Sequence, residues 1–142
     1  MMRVGIGRDL HRLEMGRSLI LGGIKIDSEL GCVAHSDGDC LLHSIMDSIL
    51  GALARPNIGV LFPNDDERNR NRSSVEMLAA VVNRMKEARY VVGNLDATII
   101  LERPMLSQHM EKMRKNVAEC IGAQVMNVSI KATTNEKVIR GN

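Results

Sequence analysis

Two interlocked residue spacings constrain this fold more than anything else in the sequence. Asp9-Leu10-His11 is written in strand alternation near the N-terminus, and His43 lies four residues after Asp39 and four before Asp47. Side chains two apart on an extended segment point to one face. Side chains four apart stack on one face of a helix. An N-terminal strand and a helix must therefore lie against each other if Asp9, His11 and His43 are to converge. Two imidazoles and a carboxylate form a borderline-soft N/O donor set that suits zinc, one ion per chain, and three protein ligands leave a coordination position open for chemistry.

The surrounding pattern supplies those elements. Residues 2–8 and 18–26 are rich in Ile, Val and Leu and read as two strands joined by a turn at Glu14-Met15-Gly16-Arg17. From Asp37 to about Ala54 the repeat becomes helical, with Leu42, Ile45, Met46, Ile49 and Leu53 as its apolar stripe. Residues 55–72, with Pro56, Gly59 and Pro63, read as a long loop. Ser73-Ser74-Val75-Glu76 is a capping box for a helix to about Arg89. A strand over 90–101 is interrupted near Gly93-Asn94, Pro104 blocks its continuation, Ser107 is placed to cap a helix ending at Gly122, and 127–133 is a last strand. This order predicts an α+β fold, with a mixed sheet of four or more strands, helices packed on one face and βαβ-type units. With no Trp, one Tyr and one Phe but ten Met, the core must be aliphatic and thioether.

Charge and cysteine usage exclude several classes. A net charge of +2, with Lys and Arg scattered among acids, does not favour nucleic acid. The mixed-sign run Asp65–Arg72 reads as a solvated loop. No apolar run approaches the roughly 18 residues of a membrane span and no signal-type apolar stretch opens the chain, so the expectation is a cytoplasmic protein without membrane contact. Cys32, Cys40 and Cys120 have no paired spacing and fit reduced thiols. Asp37 reads as a helix cap and Asp39 as an acid in the first turn, both structural.

At the level of whole motifs the chain resembles a known family. Asp9-Leu10-His11, Leu21-Gly22-Gly23, Ala34-His35-Ser36-Asp37-Gly38-Asp39, His43, Ile58-Gly59, Leu61-Phe62-Pro63 and Lys131-Ala132-Thr133-Thr134-Asn135-Glu136-Lys137 match, in order and spacing, the 2-C-methyl-D-erythritol 2,4-cyclodiphosphate synthases. These are cyclising lyases of non-mevalonate isoprenoid synthesis. The resemblance implies a CDP-linked methylerythritol 2-phosphate as substrate, attack of its 2-phosphate on the β-phosphorus, and release of CMP. It implies zinc on Asp9, His11 and His43, and a second divalent ion, magnesium or manganese, held with the help of Glu136. His35 and Ser36 would lie against the attacking phosphate, and Thr133 and Thr134 would donate to the diphosphate, with His35, Thr134 and Glu136 as the catalytic set. Asp47 would anchor the polyol. Asn57, Gly59, Phe62 and Asn64 would line the sugar and erythritol region, while Leu101, Met105, Leu106, Ser107 and Ala132 would border the nucleotide. Family members are trimers with active sites between subunits.

The sequence also departs from the family pattern. Asn57 and Asn64 stand where Asp is usual, which keeps an acceptor and loses a charge. Met105 stands where a lysine is expected near the nucleotide phosphates. Set against the family, residues 1–142 read as a single catalytic domain without the C-terminal Gly-rich turn and last strand. These departures keep open a second reading, a non-catalytic homologue that binds zinc and a nucleotide. A zinc hydrolase is disfavoured, because no extra general base with a clear partner stands out.

Overall fold

The computed structural model describes residues 1–138; the final stretch 139–142, where the sequence was set against the family's C-terminal pattern, lies outside the described residues. Four three-residue strands come first: β1 (Leu13–Met15), β2 (Leu19–Leu21), β3 (Ile24–Ile26) and β4 (Leu30–Cys32). The apolar run over 18–26 is thus two strands, not one. Gly22 and Gly23 break it at φ +61° and +74°, the pair of left-handed residues that a tight two-residue hairpin needs. β2 pairs antiparallel with β3 and β1 with β4.

Next come α1 (Cys40–Ala52), the short α2 (Ile58–Leu61) and α3 (Ser74–Glu87). The segment expected to be loop therefore carries α2, as well as a 3₁₀ turn at Glu67–Asn69. A βαβ unit follows, with β5 (Leu95–Ile100), α4 (Met110–Ile121) and β6 (Val128–Thr133). β5 and β6 run parallel in register Leu95↔Val128 to Ile100↔Thr133. Gly122, at φ +70°, ends α4 as the sequence predicts. The fold is α+β. Among the described residues, however, the strands form three two-stranded ladders and not one sheet of four.

The N-terminal segment explains part of that difference. Residues 2–8 form no ladder with any described strand; they lie on α1 instead. A Cβ added at Gly5 would sit 1.8 Å from the Ser48 carbonyl oxygen, and one at Gly7 would sit 1.8 Å from that of Ser44. Only glycine lets backbone approach backbone so closely. The period of two survives without a partner strand: Gly5, Gly7, Asp9 and His11 face the helix, while Val4, Ile6 and Leu10 face out. Arg3 secures the start, donating to the Tyr90 hydroxyl at 2.9 Å and the Ala52 carbonyl at 3.1 Å.

One core joins the helices and the first hairpin. Leu42, Met46, Leu78, Val81, Met113 and Val117 are fully buried within it. The unbranched thioethers of Met46 and Met113 fill space that aromatic rings occupy in most cores. Asp39 ties the hairpin to α1. Its carboxylate accepts from Gly22 N (3.0 Å) and Gly23 N (2.6 Å) and caps α1 through Leu42 N (2.9 Å). The cap is therefore Asp39, not Asp37, and it lies outside the helical face that carries His43. Ser73 makes no side-chain cap bond to α3, and α4 begins after His109 without a cap from Ser107.

The completely buried Asp39 has a consequence for stability. Burial pushes its carboxyl up to about 6, with the three N–H donors opposing the rise. A folded-state acid with a raised pKa holds its proton more tightly than the unfolded chain does. Its favourable contribution is then complete below about pH 4 and is lost as pH rises through 6, by about 3 kcal/mol. Denaturant unfolding of the wild type and of Asp39→Asn between pH 4 and 7 should show this slope in the wild type alone.

Candidate active site

Asp9 and His11 project from the N-terminal segment onto α1, where His43 occupies the first turn. Asp9 Oδ2 is 2.7 Å from His11 Nε2 and 3.1 Å from His43 Nδ1, and the two ring nitrogens are 3.1 Å apart. Tetrahedral zinc, with bonds of about 2.0–2.2 Å, separates neighbouring ligand atoms by roughly 3.3 Å. The triangle is only slightly tighter than that, so the donor set fits the ion the sequence predicts. Side-chain exposures of 23%, 17% and 6% for Asp9, His11 and His43 describe a centre sealed on the helix side and open at its mouth.

Electrostatics ready the carboxylate. Burial raises the Asp9 pKa, but hydrogen bonds from His11 and His43 outweigh it and hold the group well below the usual carboxylate range. The hydrogen bond to Asp9 raises the pKa of His11 against the opposing effect of burial. Cys40 lies beside Asp9, and burial together with that carboxylate pushes its thiol up. Burial also lifts the Cys32 thiol, to about 11. Both are neutral thiols at physiological pH and not thiolate nucleophiles.

Behind the triad runs a chain of hydrogen bonds that sequence reasoning missed. His43 Nε2 is 2.9 Å from Ser74 Oγ and 3.2 Å from Ser36 Oγ. The Ser74 hydroxyl donates to Asp37, and Asp37 also accepts from the Ser74 and Asp39 backbone N–H groups. Nothing in the spacing from Asp37 to Ser74 announces this contact. The loop containing His35 is held by Asn71 N donating to the His35 carbonyl and Asp37 N donating to that of Arg72. Among the described residues, His35 Nε2 is buried with no hydrogen-bond partner, one of the few buried polar atoms left without one.

The other sequence-predicted residues fall into two groups. Near α2, Asp47 accepts from Ile58 N at 2.8 Å, which gives it the job of fixing that short helix. Asn57 is the α2 cap, with its Oδ1 accepting from Val60 N at 3.3 Å. Gly59 and Asn64 are exposed. Phe62 is buried under the Arg72 guanidinium, 5.1 Å from its ring centroid.

The second group gathers where β5 and β6 end. Leu101 N donates to the Thr133 carbonyl at 2.9 Å, and Asn135 N to Glu102 at 2.8 Å, so the loop following Leu101 lies against Thr133–Glu136. Thr134 Oγ1 donates to Glu136 at 3.2 Å. Ala132, Thr133, Thr134, Glu136, Met105 and Ser107 are exposed, whereas the Leu106 side chain is in the core and has only its backbone to offer a ligand. Among the described residues, the hydrogen bonds of Thr133–Glu136 run to this loop and within the turn, not to Asp9, His11 or His43. The metal-ligand cluster likewise contains those three residues without Glu136. No helix among the described residues is long and apolar enough to cross a membrane.

The chain is 51% identical over 136 residues to the chloroplastic 2-C-methyl-D-erythritol 2,4-cyclodiphosphate synthase of Arabidopsis thaliana, covering 96% of this chain and 59% of that protein. It is 49% identical over 137 residues to the enzyme of the same name from Alkaliphilus metalliredigens, covering 96% of this chain and 86% of that one. A solved structure of 2C-methyl-D-erythritol-2,4-cyclodiphosphate synthase in its CDP-bound form superposes with a TM-score of 0.87 at 34% identity, covering 96% of this chain and 91% of the other. The YgbB family model matches residues 2–142. Sequence and fold agree, and the chain belongs to the YgbB family.

Proposed function

We propose that this chain converts 4-CDP-2-C-methyl-D-erythritol 2-phosphate to 2-C-methyl-D-erythritol 2,4-cyclodiphosphate and CMP, as a cyclising phosphorus–oxygen lyase. The observation that carries the reading is the convergence of Asp9 Oδ2, His11 Nε2 and His43 Nδ1 on one point, within a family match that spans nearly the whole chain. Zinc on those atoms, when bound, supplies a Lewis acid for a phosphate oxygen.

The protein's own groups do the rest by positioning. His35 and Ser36, on the loop beside the triad, orient the attacking 2-phosphate. Thr133 and Thr134 offer hydroxyl donors to the diphosphate, and Glu136 helps hold a second divalent ion, magnesium or manganese. Backbone groups of Leu101, Met105, Leu106 and Ser107, with Ala132, border the cytidine. Asn57, Gly59, Asn64, the backbone of Phe62 and the remaining oxygen of Asp47 face the sugar and polyol. Residues 1–142 act as one catalytic domain. A homotrimer would bring the metal group of one chain to the β5–β6 group of the next, because within a chain the two groups share no hydrogen bond among the described residues; a ring of three needs one head-to-tail interface repeated.

The decisive experiment supplies the CDP-linked substrate and magnesium to the purified protein. Release of CMP with formation of the cyclic diphosphate is expected, and Glu136→Gln should lower kcat more than it weakens CDP binding. Tight CDP binding without CMP release would replace the lyase with the non-catalytic reading.

A further inference from the structure

We propose that Ser74, backed by Asp37, is a positioning residue that locks the ring of His43 so that Nδ1, and not Nε2, is presented to the metal. This rests on the reading of Asp9, His11 and His43 as a zinc centre. The geometry is one-directional. Nδ1 faces Asp9 and His11, while Nε2 points the other way, 2.9 Å from Ser74 Oγ. Ser74 is completely buried and His43 nearly so, at 5% exposure. In that setting an unpaired ring nitrogen would be costly.

The direction of each bond follows from the acid at the end of the chain. Asp37 is acceptor-only when ionised, so the Ser74 hydroxyl must donate to it. Ser74 Oγ is then left with lone pairs toward His43, and only an Nε2–H can satisfy them. With a proton fixed on Nε2, Nδ1 is the nitrogen left to give its lone pair to the metal. Metal-bound imidazoles are commonly oriented through their far nitrogen in this way.

Ser36 reaches the same Nε2 at a longer 3.2 Å, and it stands on a loop instead of a helix. One Nε2–H cannot serve two hydroxyls well. With Ser74 as its permanent partner, Ser36 is released to a phosphate when one arrives. The inference also assigns Asp37 a role different from the helix capping expected of it. Asp37 joins the start of α3 to the metal ligand on α1, through bonds to both the backbone and the hydroxyl of Ser74.

The test uses the full chain and zinc alone, measured by competition with a chromophoric chelator, together with ¹⁵N NMR of the His43 ring. The expected result is Nε2–H in the wild type, a 10- to 100-fold loss of zinc affinity in Ser74→Ala, recovery of most of it in Ser74→Thr, and a change within about twofold in Ser36→Ala. Wild-type affinity in a folded Ser74→Ala, or a proton on His43 Nδ1 in the wild-type zinc complex, would overturn the proposal. Should Ser74→Ala not fold, Asp37→Asn and the wild-type ring spectrum decide it. If the wild type binds no zinc, the metal reading is what fails, and the metal-free ring still tests the Ser74 lock: an Nε2 without its proton there would overturn it.

Discussion

His43→Ala should empty the metal centre. Bound zinc is expected to fall from about one ion per chain to less than about a tenth, because Asp9 and His11 alone cannot hold the ion. Loss of the Lewis acid removes several kcal/mol of transition-state stabilisation, so CMP release should drop by about 10³-fold or more. His43 contributes more than a ligand atom. Its ring connects the extended segment, through Asp9 and His11, to α3, through Ser74. Elemental analysis beside a CMP-release assay checks both effects. Full zinc retention in this variant would mean that the ion sits elsewhere.

Gly7→Ala should disable the same centre without touching a ligand. The new Cβ would lie 1.8 Å from Ser44 O, 2.8 Å from Ser44 C and 2.9 Å from Ser48 N. All three are backbone atoms of α1 and cannot swing aside. The N-terminal segment must lift by an ångström or more, and Asp9 and His11, two and four residues further along, move with it. Misplacement on that scale costs about 10²-fold in a preorganised site. Zinc affinity and turnover are expected to fall together by about that factor, with a stability loss of about 1–3 kcal/mol from overpacking. Gly93→Ala is the control, since its methyl meets nothing within 4 Å. Wild-type zinc affinity in Gly7→Ala would show that the segment does not need this seat on the helix.

Local sequence information is enough for part of this site and not for the rest. Asp9-x-His11 places two side chains on one face whether or not a ladder forms, because alternation belongs to any extended backbone. The helix containing His43, the glycine stop of α4 and the separate elements β5, α4 and β6 are legible for the same kind of reason: each is set by residues within a few positions of one another. The run over 18–26 reads as one strand from its five apolar residues, but the two glycines with positive φ decide where the chain reverses.

Other features depended on neighbours distant in sequence. The α1 cap expected of Asp37 belongs to Asp39, since both are near a helix start. Only the hairpin of β2 and β3, bringing two N–H groups to one carboxylate, and α3, bringing Ser74 to the other, separate them. Pairing of residues 2–8 was equally beyond local reading, because whether a strand finds a ladder depends on which edge lies beside it.

What the sequence determined by itself is the donor set: an Asp and two His at spacings that let them share a metal ion, and the helices and strands that carry them. What the tertiary structure decided is the support for that donor set. Gly5 and Gly7 press the chain onto α1, Asp39 bolts a hairpin to the helix, and Ser74 with Asp37 stands behind His43. Periodicity is a property of consecutive residues, so it can be read along a chain. A hydrogen bond between residues 37 and 74, or between 43 and 74, exists only once packing has brought distant segments together.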